Sequence, residues 1–341
     1  MNIYDIAKLS GVSIATVSRV LNNKPGVSIE ARNSVMSVVE KNNFIPNQLA
    51  KSLANKKSYV VGIVMPGINH YFSHRVDAIN KVLKEEGYSL MITANYKDYN
   101  SIDDDIWNFN LLIEKRVDGI IYFPTHVSEK HIELLHRIEK KIPIVVTDSE
   151  IDGIGISSVI QDSYSSTLEL MNYLIGGGHR TIGFINGLSY DKVNLGRFNA
   201  YRDSLETASI VFDEALVVYG HYSLESGYAS MKTLMEQQQD KQQKITAVFA
   251  ANDSMAMGAI KYLHETGLKV PEDISVVGYD GIEFGQFFIP SLTTIRYNQY
   301  LMGQKAAEVL IDQIEKRTVK RTVTSMEYEL IIGNSSRTLN S

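Results

Sequence analysis

Residues 11–23 read GVSIATVSRVLNN. At helical spacing Val17, Val20 and Leu21 form one apolar stripe, while Ile14, Ala15, Ser18, Arg19 and Asn22 share the opposite side. Gly11 supplies the permissive backbone of a tight turn. Ser13 stands where an N-cap oxygen satisfies the free amides of a new helix. Upstream, a helix is expected from about Tyr4 to Ser10, with Ile3, Ile6 and Leu9 on one face and Ala7 allowing close approach. Downstream, a third is expected from about Ser28 to Asn42, burying Ile29, Val35, Val38 and Val39. The order is helix, tight turn, helix, helix.

The polar side of the second helix suits the major groove of DNA. Arg19 can donate two hydrogen bonds to a guanine edge, and Ile14 or Ala15 can touch a thymine methyl. The hydroxyls of Thr16 and Ser18 suit phosphate oxygens, which position a helix without reading sequence. The alternative is a small helical bundle that binds nothing. Charge bears on the choice: residues 1–58 carry eight Lys or Arg against three acids, a net of +5, on a chain of net −5. A basic head on an acidic body fits a polyanion-binding module joined to something else. In FIPNQLAKSLANKKS (44–58), Pro46 is expected to stop the preceding helix, and Asn47 to Asn55 can form one too short to stand alone in water. Leu53 would be its apolar wedge, able to enter a minor-groove base step.

The run YDIAKLSGVSIATVSRVLNNKPGVSIEAR, followed by FIPNQLAKSLANKKSYVVGIVMP, resembles the DNA-binding head and hinge of the lactose/galactose-repressor family of bacterial transcription regulators. The likeness runs to about residue 333. It implies that Ile14, Ala15 and Arg19 face bases and that Tyr4, Thr16, Ser18, Asn22 and Asn47 contact the DNA backbone. It further implies that Leu53 of each subunit inserts at the centre of a palindromic operator. Ala31 stands where the family often has threonine, and Lys51 where arginine is common.

From Tyr59 the pattern changes. YVVGIVMP, YSLMITAN, VDGIIYFP and IPIVVTDSE, then RTIGFING, ALVVYG, ITAVFAAND and ISVVGYD, are apolar runs separated by amphipathic stretches. Strands alternating with helices predict an α/β class with doubly wound parallel sheets, in two subdomains behind an all-α head. The resemblance adds likeness to periplasmic sugar-binding proteins. The expected organisation is a head at 1–46, a hinge at 47–58 and a body at 59–341. The body divides into 59–161 plus 293–320 and 162–290 plus 321–333, with crossovers near residue 161, Pro290 and residue 320.

Ligands of open α/β sheets bind at the carboxyl ends of strands. Asp148, Asn252, Asp253 and Asp280 close strands there, Arg197 opens a helix and Tyr222 follows ALVVYGH. Carboxylates, an amide, a guanidinium and an aromatic face suit a polyol; each alone is equally a cap or turn residue, and Asp253 reads as a helix cap. The resemblance places Arg197, Asn252 and Asp280 on effector-holding positions and Tyr222 on a stacking position. Asp148, Ser158 and Gln299 are weaker carry-overs. NHYF (69–72) replaces the common Asn-Pro-Phe-Phe, with Tyr71 and Phe72 facing the cleft and His70, His74 and Arg75 making that half of the pocket unusual.

Other features read as structural. IGGGHRTIGFI (175–185) has the order helix, glycines, strand, whereas a phosphate cradle needs strand, glycines, helix. His70 and His74 lack the glutamate of a metalloprotease helix, so no metal is expected. His131 and His136 lie on a charged helix and are expected to be solvated. No serine sits in a G-x-S-x-G elbow, and cysteine is absent. No cofactor and no enzyme activity are expected. Without a signal peptide or an ~18-residue apolar span, a cytoplasmic location and no membrane partner are expected. The whole reads as a repressor: a homodimer, lacking a terminal leucine heptad, that binds operator DNA under control of a carbohydrate effector. The alternatives are a sugar-binding protein without DNA function, a sugar-processing enzyme, and a purine-responsive regulator of the same family.

Overall fold

A computed structural model describes residues 1–21, 24–44, 57–68, 70–95, 101–125, 127–151, 153–187, 192–239, 244–317 and 320–339. The chain divides into two compact units, Met1–Tyr59 and Val60–Ser341.

The first unit holds α1 (Ile3–Ser10), α2 (Ile14–Leu21) and α3 (Ile29–Lys41). Asn2 and Asp5 cap α1 reciprocally, and Gly11 ends it in the left-handed conformation at φ 68°. The Ser13 hydroxyl accepts from the Thr16 amide at 3.1 Å and so caps α2. Ile6, Ala7, Val17, Val20 and Val35 make the core, with Ile3, Leu21, Val38, Val39 and Phe44 around it. Two expected core residues lie outside. Leu9 is exposed because so small a core covers only the arc of α1 centred on Ile6, Ala7 and Ser10. Ile29 is 74% exposed, since at about 100° per residue it stands opposite Val38 on α3.

The second unit holds two six-stranded sheets. The first has β1 (Val60–Met65), β2 (Ser89–Ala94), β3 (Gly119–Tyr122), β4 (Ile144–Thr147), β5 (Ser157–Gln161) and β11 (Val323–Met326), in the order β11-β5-β4-β3-β1-β2. All its pairings are parallel. Such strands are buried on both faces and read as unbroken apolar runs, as VVGIVM and GIIY do. Helices α5 (Ile102–Glu114) and α6 (Glu129–Glu139) cover one face through Phe109, Leu112, Leu134, Leu135 and Ile138. On the other, α12 (Gln299–Ile314) packs over β3–β5 and against α4 (His70–Glu85). There Gly303 meets the backbone of Arg75 so closely that a Cβ would lie 2.2 Å from its carbonyl oxygen.

The second sheet has β6 (Ile182–Asn186), β7 (Val217–Tyr219), β8 (Ala247–Ala250), β9 (Ser275–Asp280), β10 (Thr293–Tyr297) and β12 (Tyr328–Ile331), in the order β12-β10-β9-β8-β6-β7. Only the β10–β12 pairing is antiparallel. Two helix pairs flank it: α7 (Ser163–Gly176) with α8 (Lys192–Thr207), and α9 (Leu224–Gln237) with α10 (Asp253–Glu265). Gly177 caps α7, as the glycine run suggested. A short α11 (Glu283–Phe287) follows β9.

Two crossovers differ from expectation. The edge of β9 takes its hydrogen bonds from Thr293–Tyr297, so the chain leaves the second sheet at Asn298, not Pro290. Val323–Met326 completes the first sheet beside β5, so the last return falls near Glu327, not residue 320.

Candidate functional site

The head presents its candidate DNA readers on the outside. Tyr4, Ile14, Ala15 and Arg19 are exposed, and Thr16 and Ser18 are half-buried. Val17 and Val20 face inward, which turns the side bearing Ile14, Ala15 and Arg19 outward. Arg19 lies beside Gly26 (φ 86°), where a Cβ would stand 3.3 Å from its Nη1. Asn22, Asn47 and Leu53, with the Asn47–Asn55 helix and the side chain of His70, lie outside the described residues.

The body's candidates gather at the carboxyl ends of strands, and their backbone marks them. Among the described residues, eight other than glycine have positive φ: Asn43, Tyr59, Arg116, Asp148, Ser209, Tyr222, Asp280 and Lys316. Asn43, Arg116, Ser209 and Lys316 follow helix ends, where a left-handed residue is a common cap. Of the remaining four, Asp148, Tyr222 and Asp280 are three of the residues expected at the cleft. Sparsely populated backbone held at strand ends is a recurrent feature of ligand sites.

In the second lobe Arg197 is buried on α8. Its Nη1 donates to the Ala251 carbonyl at 2.8 Å, and its guanidinium lies 3.9 Å above the Tyr279 ring. Nη2 is 3.8 Å from Asp280 Oδ1, beyond hydrogen-bonding distance, and the buried Nε has no hydrogen-bond partner among the described residues. Burial holds the Asp280 carboxyl well above the usual range; Asp253 and Asp148 push the same way, and Arg197 and Arg75 oppose them. The carboxyl of Asp280 thus feels charges on both lobes. Tyr222 is half-buried against Gly187, where a Cβ would meet its hydroxyl at 2.2 Å, so a larger residue there would displace the tyrosine ring.

Asn252, not Asp253, caps α10: its Oδ1 accepts from the Met255 amide at 2.9 Å while its Nδ2 donates to the Tyr222 carbonyl at 3.1 Å. Asp253 is fully buried. It accepts from Thr294 Oγ1 at 2.6 Å and from the Ile282 amide at 2.8 Å, which ties down the turn after Asp280. Burial pushes its carboxyl up to about 7.

In the first lobe Phe72 is buried and Tyr71 half-buried, their rings 4.9 Å apart. The Tyr71 hydroxyl accepts from Gln161 and Gln299, each at 3.2 Å, and these glutamines flank two of the crossovers. Asp148 follows β4 and pairs with both terminal nitrogens of Arg75, at 2.5 and 3.2 Å. Ser158 is buried in β5, and its hydroxyl has no hydrogen-bond partner among the described residues. A cavity of about 870 Å3, within the range of small-molecule sites, is lined by Tyr71, His74, Asp280, Phe284, Tyr297 and Gln299 among others. Arg197 and Asp148 are outside its lining.

The sequence reading missed Arg75 as a centre of contacts, and it misplaced His131. That histidine is buried between Ser128 and Asp105, which also accepts from Tyr122 at 2.6 Å. The spacing His131, Leu134, Leu135, Ile138 was the available signal: it is the inward stripe of α6. No group of three or more His, Cys, Asp or Glu among the described residues could hold a metal. No helix there is long and apolar enough to cross a membrane.

Comparison with known proteins places these features. Residues 2–47 match the family model for bacterial regulatory proteins of the lacI family, and residues 171–336 match a periplasmic binding protein-like domain. The chain is similar to the HTH-type transcriptional repressor PurR of Vibrio atlanticus (strain LGP32), 31% identical across 99% of both chains. It superposes on the lac repressor dimer bound to operator and the anti-inducer ONPF with a TM-score of 0.86, at 27% identity and 99% coverage of each chain. A transcriptional regulator CelR–cellobiose complex gives 0.74 at 27% identity, covering 98% of this chain and 100% of that one. The chain belongs to the lacI family of bacterial regulatory proteins: a DNA-binding transcription regulator whose helix-turn-helix head precedes a periplasmic-binding-protein-like body.

Proposed function

We propose that this protein is a cytoplasmic repressor, not an enzyme, that binds a palindromic operator as a homodimer and is controlled by a carbohydrate held between the lobes of its body. One observation carries the effector reading. Arg197 is buried with an unpartnered Nε, beside a strained Asp280 whose carboxyl feels charges of both lobes. A buried donor without an acceptor costs about 1–3 kcal/mol, and a ligand oxygen would recover that. Arg197, Asp280, Asn252, Tyr222, Tyr71 and Phe72 are the residues we assign to the ligand. The solved relatives in complex with operator and anti-inducer and with cellobiose support this pairing of DNA and saccharide. Ile14, Ala15 and Arg19 read bases; Tyr4, Thr16, Ser18, Asn22 and Asn47 hold the DNA backbone; Leu53 wedges the central step.

Two copies pair through their bodies. The effector shifts operator affinity only by its differential affinity for the two body conformations. The test is a selection of duplexes from a random pool by the full-length protein, followed by anisotropy titrations with and without a sugar panel. A recovered palindrome whose affinity changes with one sugar is the expected result. Failure to retain any duplex at low salt would favour a sugar-binding protein without DNA function; a response to hypoxanthine alone would favour a purine effector.

A further inference from the structure

Resting on the reading of the cleft as an effector site, the geometry points to Arg75 as its specificity-determining residue: it takes Asp148 out of the ligand's reach, so effector hydroxyls are read from the second lobe. Arg75 is completely buried, and every N–H of its guanidinium is used. Nε and Nη2 donate to Gln299 Oε1, Nη1 to Thr147 Oγ1 and Asp148 Oδ2, and Nη2 to Asp148 Oδ1. Such a bidentate pair is the strong form of the arginine–carboxylate contact. Thr147 Oγ1 also donates to Asp148 Oδ2 at 3.1 Å, so both carboxylate oxygens are engaged from within the protein.

The pair is held in place on two sides. The Arg75 guanidinium carbon lies 5.2 Å from the Phe123 ring centre, 5.5 Å from Phe72 and 5.7 Å from Tyr71. Gln299, gripped by Arg75, also donates to Tyr71, whose hydroxyl accepts from Gln161 at the first crossover. The first lobe therefore presents a neutralised ion pair behind aromatic surface, while the second keeps a donor to spare on Arg197. A ligand fitting both walls has a C–H face toward Tyr71 and Phe72 and its oxygens toward Arg197. Replacing Arg75 by a neutral residue frees a carboxylate that accepts from vicinal hydroxyls and repels anions.

The test is thermal shift of the full-length wild type, Arg75→Gln, Arg75→Gln/Asp148→Asn and a remote control, Tyr88→Phe, with D-glucose, D-galactose, cellobiose, D-galacturonate and hypoxanthine. The control removes a Tyr88–Glu315 hydrogen bond just past the C-terminal ends of α4 and α12, whose N-terminal halves carry Arg75 and Gln299. Arg75→Gln is expected to gain about tenfold in affinity for neutral sugars relative to galacturonate, the scale of one hydrogen bond to a charged group. The double variant should cancel the gain and restore the wild-type ranking. It also lacks the unpaired buried carboxylate, so it serves if Arg75→Gln fails to fold. A ranking in Arg75→Gln identical to that of wild type and Tyr88→Phe overturns the proposal. So does loss of every wild-type ligand in the double variant. A blank panel for all four proteins overturns the effector reading itself, and this proposal with it.

Discussion

The two recognition surfaces proposed for this chain are built in opposite ways. In the head, Ile14, Ala15 and Arg19 stand exposed on one side of an eight-residue helix whose other side is locked by Val17 and Val20. In the body, Arg197, Asp280 and Asp148 are wholly or largely buried, come from three strand ends or helices and hold strained or saturated geometry. A surface that docks into a groove needs only a rigid scaffold, because its partner brings the complementary groups. A cleft that closes on a small molecule must be preorganised before the ligand arrives, and burial is what that preorganisation costs. Substitutions in the body should therefore disturb stability and titration as well as binding, whereas those on the head face should disturb binding alone.

The largest expected effect is on the pH dependence of stability. Burial raises Asp253 from about 3.8 to about 7, so the folded body keeps that proton after the unfolded chain has released it. Stability from this group is complete below the unfolded value and is lost as pH rises through the folded one. Over that window it amounts to roughly 4 kcal/mol. Asp280 is displaced in the same direction and leaves its own share behind. Urea unfolding of Asp253→Asn between pH 4 and 8 should show a shallower decline than the wild type. Parallel curves would mean that Asp253 ionises normally and that its bonds to Thr294 and Ile282 suffice to hold a charge.

Next in size is Arg197→Ala, which should abolish thermal stabilisation by the effector, a loss of about a hundredfold or more in affinity. Retention within a few-fold would move the ligand away from the buried guanidinium. For the head, Arg19→Ala should cost about 1–3 kcal/mol on the selected operator and much less on random duplex, measured by anisotropy at one salt concentration. Equal losses on both would put Arg19 on phosphate. That outcome would erase the contrast between a base-reading face and a merely basic one.

How much of this was legible in the sequence follows the same division. The helix-turn-helix was readable because its period, turn glycine and capping serine are local signals within 40 residues, and Val17, Val20, Gly11 and Ser13 sit as spacing requires. The apolar strands were readable too, since parallel strands buried on both faces announce themselves. Strand ends nominated Asp148, Asn252 and Asp280, and each closes or follows its strand. Their occupancy was not legible. Nothing local says that Asp148 is gripped by a residue 73 positions away, that Asn252 spends its side-chain oxygen on a cap, or that Asp253 faces inward. The displaced crossovers have the same cause: β10 and β11 are placed by which sheet edge lacks a neighbour, a property of the assembled fold.

The smallest expected effect tests the phase of α3. Ile29 is the first residue of that helix, 74% exposed, and Val35 two turns later is completely buried. Ile29→Ser should leave head stability within about 0.5 kcal/mol, as exposed substitutions do. Val35→Ala should cost about 2 kcal/mol through lost burial and the cavity left behind. Thermal unfolding of the two variants separates them cleanly if the helix lies as described. Comparable losses would show that Ile29 is covered in solution. A covered isoleucine at the start of α3 would mean that the head buries a second face, and that exposure on the free chain understates what its partner surface touches.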